Sequence, residues 1–272
     1  MGVVPTIGRF RYLEAAPGLS TSSGRPRGSL ILIHAFPLNA RMWEPQLALA
    51  ERGWRVIAPQ LRGMDGGASD PPATSIDDYA ADIIDLLDAL HIEDAVIGGQ
   101  SMGGYVAFAL FRHAPRYVRG LVLADTRSQA DTPEGVDARK RMIALVREKG
   151  AAAIAAEMLP KLLSDATRQQ RPDVVERVRA LTLANSAEAI AGALAALMTR
   201  PDSTPLLQTI HCPTLILVGS DDRVTPPALS EELHQRIAGS ELTIIEDAGH
   251  LSSLEQPAAF NKALARFLEH RV

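Results

Sequence analysis

Short apolar runs separated by segments of helical periodicity constrain the fold of this chain more than any other feature. The runs span residues 29–33, 55–58, 95–97, 120–123, 214–218 and 242–245. Because they are mostly continuous rather than alternating, they indicate strands that are buried on both faces of a sheet. Strands that alternate with helices form mostly parallel sheets. The pattern therefore predicts an α/β fold with a mostly parallel central sheet flanked by helices.

A long stretch between about Arg127 and Pro201 interrupts this alternation. It is rich in Ala, Arg and Glu and contains no strand-like run, so we expect it to be helical. Its place between two strands favours an insertion over one edge of the sheet, positioned to cap a site, over an independent domain. We therefore expect a core formed by residues 1–126 and 202–272 and a helical cap insertion formed by residues 127–201.

Charge and hydropathy argue against two classes of partner. The chain has 28 Lys and Arg against 32 Asp and Glu, a formal net charge of −4, which gives no electrostatic reason to expect nucleic acid. No apolar run approaches the roughly 18 residues that cross a bilayer. The first residues also lack a basic stretch that leads into a hydrophobic one. We expect no membrane partner and a cytoplasmic location.

Two local segments are interpreted from composition and pattern. Residues 1–6 fit the short N-myristoylation pattern, but no polybasic patch follows them, and we interpret the match as chance. The stretch from Pro17 to Gly28, rich in Gly, Ser and Pro, is predicted to be a surface loop.

Cysteine usage gives no sign of a covalent or metal-based framework. The chain has one cysteine, Cys212, which cannot form an intrachain disulfide. No group of Cys and His residues has the spacing of a structural zinc site. We expect no metal and no other cofactor, and a fold that depends on its apolar core.

The segment with the most chemical information is Gly99-x-Ser101-x-Gly103, which follows an apolar run and precedes a helical pattern. A serine on a tight turn between a strand and a helix has strained backbone geometry. Its neighbours two positions away must be small enough for the two chains to pass. The motif therefore predicts an exposed Ser101 hydroxyl at a helix N-terminus, in the context that marks a nucleophile.

A serine hydroxyl needs a base, and the base needs a carboxylate to orient it. Two aspartates, Asp221 and Asp222, follow the apolar run 214–218, at the end of a strand where open parallel sheets place their sites. His250 follows the next run, 242–245, and is the histidine of this chain with such a position near the C-terminal end. The chain order is therefore Ser, Asp, His.

This order, with a strand before each of the three residues, resembles the α/β-hydrolase superfamily over nearly the whole chain. Within that superfamily, the chain resembles bacterial serine carboxylesterases and enol-lactonase-like hydrolases. The resemblance implies Ser101 as nucleophile, Asp222 as acid and His250 as base. Asp221 is the neighbouring alternative for the acid, although we favour a solvated loop charge there. Asp125 occupies the acid position of a minority of relatives.

The resemblance also implies an oxyanion hole, since the tetrahedral intermediate needs two fixed donors. The backbone N–H of Met102 is the first donor. The segment His34-Ala35-Phe36-Pro37 resembles the family's His-Gly-x-Pro loop and assigns the second donor to the N–H of Phe36. Ala35 replaces the usual glycine, so this loop does not need a positive φ there. We interpret His34 as a structural brace of this loop rather than as a second base.

A further turn, Gln60 to Ser69, resembles the family's Asp-x-Arg-Gly-x-Gly-x-Ser sequence. Gln60 replaces the aspartate, and extra residues precede Ser69. We interpret Arg62 in this turn as structural, pairing loops behind the site.

Apolar residues next to these motifs are candidates for the walls of a substrate pocket. Pro37 and Trp43 are predicted to bind substrate, and Phe36 and Met102 are further candidates that lie within the motifs themselves. The competing interpretation is that each is a core residue, which is the more common role of an apolar side chain beside a motif.

The residues favour a serine carboxylesterase that takes small to medium acyl or aryl esters, so the expected partner is a small-molecule ester. A lactonase, in particular an enol-lactone hydrolase, is the alternative, because the same machinery opens lactones. A ligand-binding member of the fold without catalysis is a third hypothesis. Serine at position 101 argues against epoxide hydrolases and haloalkane dehalogenases, whose alkyl-enzyme chemistry needs a carboxylate nucleophile. The sequence specifies neither the exact substrate nor the oligomeric state.

Overall fold

The computed structural model describes residues 5–17, 26–64 and 73–272. The first four residues of the myristoylation pattern lie outside these ranges. Most of the predicted loop from Pro17 to Gly28 and the second half of the turn from Gln60 to Ser69 also lie outside them.

In the described part of the chain, eight strands form one sheet in the order β1-β2-β4-β3-β5-β6-β7-β8. They are β1 (Thr6–Ile7), β2 (Phe10–Ala15), β3 (Ser29–Ile33), β4 (Arg55–Pro59), β5 (Ala95–Gln100), β6 (Val118–Ala124), β7 (Thr214–Gly219) and β8 (Glu241–Ile245). The pairs β1–β2 and β2–β4 are antiparallel, and the neighbours from β4 to β8 are parallel. The carboxyl ends of the parallel strands therefore share one edge, where loops from distant parts of the chain meet.

Helices connect the strands and cover both faces of the sheet. They are α1 (Ile76–Ala89), α2 (Met102–His113), α3 (Pro133–Leu162), α4 (Asp165–Gln170), α5 (Pro172–Leu183), α6 (Ala187–Met198), α7 (Pro227–Arg236), α8 (Ser252–Glu255) and α9 (Pro257–His270). Short 3-10 helical segments lie at Ala40–Arg52, Pro115–Tyr117 and Thr204–Thr209. The mostly parallel α/β fold predicted from the sequence is confirmed.

Two apolar clusters, one on each side of the sheet, form the core. In β3, Ile31 and Ile33 belong to the cluster that includes α1 and α2. Leu30 and Leu32 belong to the cluster that includes α9 and the 3-10 segment at Ala40–Arg52. Successive strand side chains point to opposite faces, so a strand covered on both sides needs apolar residues at every position. This requirement explains the continuous apolar runs in the sequence.

The six apolar runs all form strands, each within a few residues of its predicted ends. The strands β1 and β2 were not predicted. In β2, Arg11 and Glu14 interrupt the apolar pattern, because this strand lies near the antiparallel edge of the sheet and is partly exposed. Such a strand lacks the two-sided burial that makes the inner strands visible in the sequence.

The stretch between β6 and β7 forms helices α3 to α6, which we call the helical insertion. Helix α3 is broken at Gly150, where φ is 75°. Ser164 caps the N-terminus of α4 by accepting a hydrogen bond from the N–H of Thr167 at 3.1 Å. Asn185, between α5 and α6, donates from Nδ2 to the carbonyl oxygen of Pro37 at 2.7 Å. The insertion therefore rests on the loop that follows β3.

Within residues 5–17, 26–64 and 73–272, no single helix is long and apolar enough to cross a membrane. Helices α5 and α6 pass the same test together by length and composition alone, with a bend of 92° between them.

Candidate active site

Ser101 occupies a sharp turn between β5 and α2, with φ of 54° and ψ of −113°. A Cβ on Gly99 would lie 2.1 Å from the carbonyl oxygen of Gly103, and a Cβ on Gly103 would lie 2.1 Å from that of Ile33. Real atoms never approach so closely, so both positions require glycine. The N–H of Ser101 donates to the carbonyl oxygen of Ala124 at 2.9 Å. The motif therefore folds as the tight turn that its two glycines predict.

The three side chains predicted to act together meet at the carboxyl edge of the sheet. His250, in the loop between β8 and α8, places Nε2 at 2.8 Å from Ser101 Oγ and Nδ1 at 2.8 Å from Asp222 Oδ2. Asp222 is buried in the loop after β7, whereas the neighbouring Asp221 is exposed. The geometry therefore joins a hydroxyl, an imidazole and a carboxylate in one hydrogen-bonded chain.

Other donors hold the Asp222 carboxylate in place. Its Oδ1 accepts from the N–H groups of Val224 and Thr225, both at 2.8 Å, and its Oδ2 accepts from Thr225 Oγ1 at 2.7 Å. Each carboxylate oxygen therefore has a fixed direction, and the remaining acceptor capacity of Oδ2 points at the imidazole. Because one donor is a hydroxyl beside the acid, Thr225 is part of this site, although sequence reasoning did not single it out.

Burial and charge shift the pKa values of His250 and Asp222 in opposite directions. Burial alone would lower the pKa of His250, but the Asp222 carboxylate and its hydrogen bond raise that pKa above the ordinary value. For Asp222, burial raises the pKa, but the imidazole of His250 and the donors from Thr225 outweigh it, so the pKa of the carboxyl is lowered. The pair therefore favours an imidazole that accepts a proton beside an ionised Asp222.

Asp125 is a second buried carboxyl close to this pair. Its Oδ1 accepts from the N–H of Gly219 at 2.9 Å, and its Oδ2 lies 2.7 Å from Gln100 Nε2 and 2.5 Å from Ser252 Oγ. Burial, followed by the charge of Asp222, raises the pKa of Asp125 to about 8. In the described chain it makes no hydrogen bond to His250, so the geometry favours Asp222 over Asp125 as the partner of the imidazole.

Gln100 and Ser253 form a brace behind the histidine, which sequence reasoning also missed. Gln100 Nε2 donates to the carbonyl oxygen of His250 at 3.0 Å, and Ser253 Oγ donates to Gln100 Oε1 at 2.6 Å. Gln100 directly precedes the nucleophile candidate, so the turn that carries Ser101 also fixes the backbone of His250. Ser101 is 9% exposed, so the exposed hydroxyl expected from the motif is corrected to a buried one. The only sequence signal for this role is the position of Gln100 inside the Gly-x-Ser motif.

The two backbone donors predicted for an oxyanion hole belong to Phe36 and Met102. Among the described residues, neither of their N–H groups has a hydrogen-bond acceptor in the protein. Met102 is the first residue of α2, where the helix leaves N–H groups without intrahelical partners and favours negative charge. The Cβ distance from Gly103 to Ile33 shows that α2 begins against the end of β3, where the loop with Phe36 starts.

His34 is fully buried, and its ring nitrogens bond to the backbone of the loops after β3 and β4 rather than to the catalytic candidates. Its Nε2 accepts from the N–H of Leu61 at 3.3 Å, and its Nδ1 lies 3.2 Å from the carbonyl oxygen of Ala35. Burial lowers the pKa of His34 to about 4. A neutral imidazole that joins the loops after β3 and β4 is a structural brace.

Of the two predicted substrate-binding residues, the structure places one at the insertion and one in the core. Pro37 is buried, and its carbonyl oxygen accepts from Asn185 of the insertion. Trp43 is 1% exposed and packs against Phe260 of α9, with 6.0 Å between ring centroids at a tilt of 49°. The ring of Trp43 is therefore enclosed in the core, which favours the competing interpretation of Trp43 as a core residue over its predicted role in substrate binding.

Arg62 and Gln60, in the turn after β4, both hydrogen-bond to neighbouring segments. Arg62 Nε donates to Asp82 of α1 at 2.5 Å, which ties the turn after β4 to that helix. Gln60 Oε1 accepts from the N–H of Ala40 at 3.1 Å. In the part of the chain that the structure describes, no group of three or more His, Cys, Asp or Glu side chains is placed to hold a metal ion.

A family model described as the alpha/beta hydrolase family matches residues 30–263. The chain belongs to the alpha/beta hydrolase family. It is 32% identical over 251 residues to 3-oxoadipate enol-lactonase 2 of Acinetobacter baylyi, an alignment that covers 92% of each chain.

Solved structures of this family are similar over almost the whole chain. A thermophilic esterase from Thermogutta terrifontis gives a TM-score of 0.89 at 36% identity and covers 96% of this chain and 93% of its own. The enol-lactonase from Burkholderia xenovorans LB400 gives a TM-score of 0.86 at 26% identity and covers 96% of each chain. The resemblance inferred from the sequence is therefore confirmed, and the chain is a hydrolase of this family.

Proposed function

We propose that this alpha/beta hydrolase cleaves carboxylic esters of small to medium acyl or aryl type through an acyl-enzyme intermediate. The observation that carries the proposal is the position of His250, whose two ring nitrogens each lie 2.8 Å from a partner, Ser101 Oγ on one side and Asp222 Oδ2 on the other. In this arrangement, the base contacts the nucleophile directly and the acid orients the base.

The first step is attack of Ser101 Oγ on the ester carbonyl carbon while His250 Nε2 takes the hydroxyl proton. Negative charge then develops on the carbonyl oxygen, and the N–H groups of Phe36 and Met102 stabilise it. When the tetrahedral intermediate collapses, His250 donates the proton to the leaving alkoxide and the alcohol departs. Ser101 remains acylated.

The second step uses the same groups in reverse order. His250 takes a proton from a water molecule, whose oxygen attacks the acyl carbon. The second tetrahedral intermediate expels Ser101 Oγ, which recovers its proton from His250. Asp222 stays ionised throughout and stabilises the imidazolium that forms in both steps. The products are a carboxylic acid and an alcohol.

The helical insertion is proposed to limit the size of the substrate. It lies over the loop of Pro37 and Phe36, to which Asn185 donates hydrogen bonds, so that the insertion borders the proposed oxyanion site. A small-molecule ester is the proposed partner. The enzyme is proposed to act without a cofactor and in the cytoplasm.

Lactone opening is the second candidate, favoured by the similarity to two proteins described as enol-lactonases. A lactone is a cyclic ester, so the chemistry of both steps is the same except that the leaving alkoxide stays attached to the acyl group. The difference between the two candidates therefore lies in the shape of the acyl and alcohol sites rather than in the catalytic groups.

One panel of substrates tests both candidates and the non-catalytic alternative. We expect turnover of p-nitrophenyl acetate and butyrate that Ser101→Ala abolishes, with kcat/KM falling as the acyl chain lengthens. Enol-lactone hydrolysis that exceeds ester hydrolysis in kcat/KM would favour the lactonase. Binding of esters and lactones without any turnover would contradict both and favour a ligand-binding protein.

A further inference from the structure

Glu255 is a buried acid that the proposed reaction does not use. It is the last residue of α8 and is 1% exposed. Its Oε1 accepts from the N–H of Gly249 at 2.9 Å and from that of Leu251 at 3.3 Å. These are the residues directly before and after His250. One carboxylate oxygen therefore holds the backbone on both sides of the imidazole.

The other oxygen of the same carboxylate contacts the helical insertion. Oε2 accepts from the N–H of Ser164 at 2.9 Å, and Ser164 is the residue that caps α4. The two segments also touch directly, because a Cβ on Gly249 would lie 2.6 Å from the nitrogen of Ser164 and 2.9 Å from the carbonyl carbon of Leu163. The loop of His250 and the insertion therefore share one buried anion.

We propose that Glu255 is a positioning residue that couples the seating of the helical insertion to the placement of the His250 imidazole against Ser101. This inference rests on the proposed function, because it assigns a role in the same reaction. A displacement of the insertion at Ser164 pulls on Oε2, and the movement reaches the N–H groups of Gly249 and Leu251 through the rigid carboxylate. The insertion then affects catalysis without touching the reacting atoms.

The charge of Glu255 also acts on the imidazole. The carboxyl groups that face His250 are Asp222 from the loop after β7, Asp125 from the end of β6 and Glu255 from α8, and each raises the pKa of His250 while burial lowers it. Removal of the Glu255 charge therefore has a signature in the pH profile that a loss of packing would not produce.

The hydrogen bond to the insertion can be removed at Ser164 by a residue that fits the local backbone dihedral angles. Ser164 has φ of −60° and Leu163 has φ of −113° and ψ of 144°, which are values that proline and the residue before it adopt. Ser164→Pro deletes the N–H that contacts Glu255, and it also deletes the capping hydroxyl. Ser164→Ala deletes the hydroxyl alone and is the matched control.

A second pair of variants tests the carboxylate itself. Glu255→Gln keeps the shape of the side chain but turns an amide N–H₂ towards one set of backbone donors and removes the charge. Glu246→Gln is the matched control, because Glu246 is an exposed carboxylate four residues before His250. Circular dichroism and thermal unfolding identify the temperature at which each variant is fully folded, and all rates are measured below it.

The readouts are the hydrolysis of p-nitrophenyl acetate and the rate at which a fluorophosphonate labels Ser101. We expect Ser164→Pro to lower kcat and the labelling rate about tenfold or more relative to Ser164→Ala, with a smaller effect on KM. Glu255→Gln is expected to lower both rates and to move the acid limb of kcat/KM to lower pH, while Glu246→Gln leaves both unchanged.

Equal rates for Ser164→Pro and Ser164→Ala would overturn the coupling to the insertion. An unchanged acid limb and unchanged rates in folded Glu255→Gln would reduce Glu255 to a structural role. A wild-type protein that is labelled at Ser101 but turns over no ester would contradict the proposed substrate. The labelling rates of Ser164→Pro and Ser164→Ala would then still test the coupling. A wild-type protein that shows neither reaction would overturn the proposed function and the coupling together.

Discussion

The carboxylate of Asp222, and not that of the adjacent Asp221, lies against the imidazole of His250, with 2.8 Å between Oδ2 and Nδ1. Asp221 is exposed, and its backbone N–H donates to the carbonyl oxygen of Ala248. Two adjacent positions in the loop after β7 therefore have different roles: Asp222 is the partner of the base, and Asp221 is exposed to solvent.

Asp222→Asn is expected to lower kcat by about 10⁴-fold, because an amide does not hold the imidazole in the tautomer that accepts the Ser101 proton. Asp221→Asn is expected to leave kcat near the wild-type value. Steady-state kinetics with p-nitrophenyl butyrate measures both variants. A large loss in the Asp221 variant with little loss in the Asp222 variant would reverse the assignment.

The pH dependence of kcat/KM should report the imidazole of His250. Only the neutral ring accepts a proton, so the rate falls as pH drops through the pKa of His250 in the free enzyme. Because the Asp222 carboxylate raises this pKa, we expect the acid limb to have its midpoint above the ordinary value of about 6.5. A rate that stays flat down to pH 4 would show that His250 is not the base.

Substitutions of Ser101 should separate chemistry from backbone strain. Both Ser101→Ala and Ser101→Gly are expected to lower kcat about 10⁶-fold, because neither has a nucleophile. The residue has φ of 54°, which costs an alanine more than a glycine, so we expect the glycine variant to be more stable by about 1 kcal/mol. Urea unfolding of the two variants measures the difference. Equal stability would indicate that the turn stores no strain.

Asp125 should matter more for stability than for catalysis. It has hydrogen-bond partners in Gly219, Gln100 and Ser252, and in Asp125→Asn the amide N–H₂ meets the N–H₂ of Gln100. We expect a loss of about 1–3 kcal/mol in the free energy of unfolding, with a much smaller fall in kcat than for Asp222→Asn. A loss of kcat as large as that of the Asp222 variant, in folded protein, would make Asp125 the acid.

The core position of Trp43 predicts a stability effect rather than a binding effect. Trp43→Ala removes the ring that packs on Phe260 and is expected to cost about 3–5 kcal/mol of unfolding free energy. KM should be nearly unchanged at temperatures where the variant is folded, and Trp43→Phe should lose less stability. A large rise in KM with unchanged stability would restore Trp43 to the substrate pocket.

The sequence predicted the inner strands and the three side chains that meet because each leaves a local signal. Two-sided burial requires continuous apolar residues in β3 to β7, and the close contacts of Gly99 and Gly103 require glycine on both sides of Ser101. The Asp and His candidates were recognisable because each lies in the loop that follows a strand. These signals are local in the sequence, whereas the site they form joins residues that are far apart in the chain.

Features that depend on tertiary contacts were invisible to the same reasoning. Trp43 belongs to the core because Phe260, more than 200 residues away in the chain, packs on it, and no local pattern shows that contact. Glu255 looks like an ordinary helical charge in the sequence. Its role emerges only when the backbones of Gly249 and Ser164 converge on it.

Acylation of Ser101 by an ester is tested most directly by mass spectrometry of the quenched protein, first intact and then as peptides. The protein is mixed with p-nitrophenyl butyrate, quenched in acid within the first turnover and then digested. We predict a gain of one butyryl group per chain, located on the peptide that contains Ser101 and lost in Ser101→Ala. Rapid release of p-nitrophenol with no acyl adduct on Ser101, or with undiminished turnover in Ser101→Ala, would contradict the account.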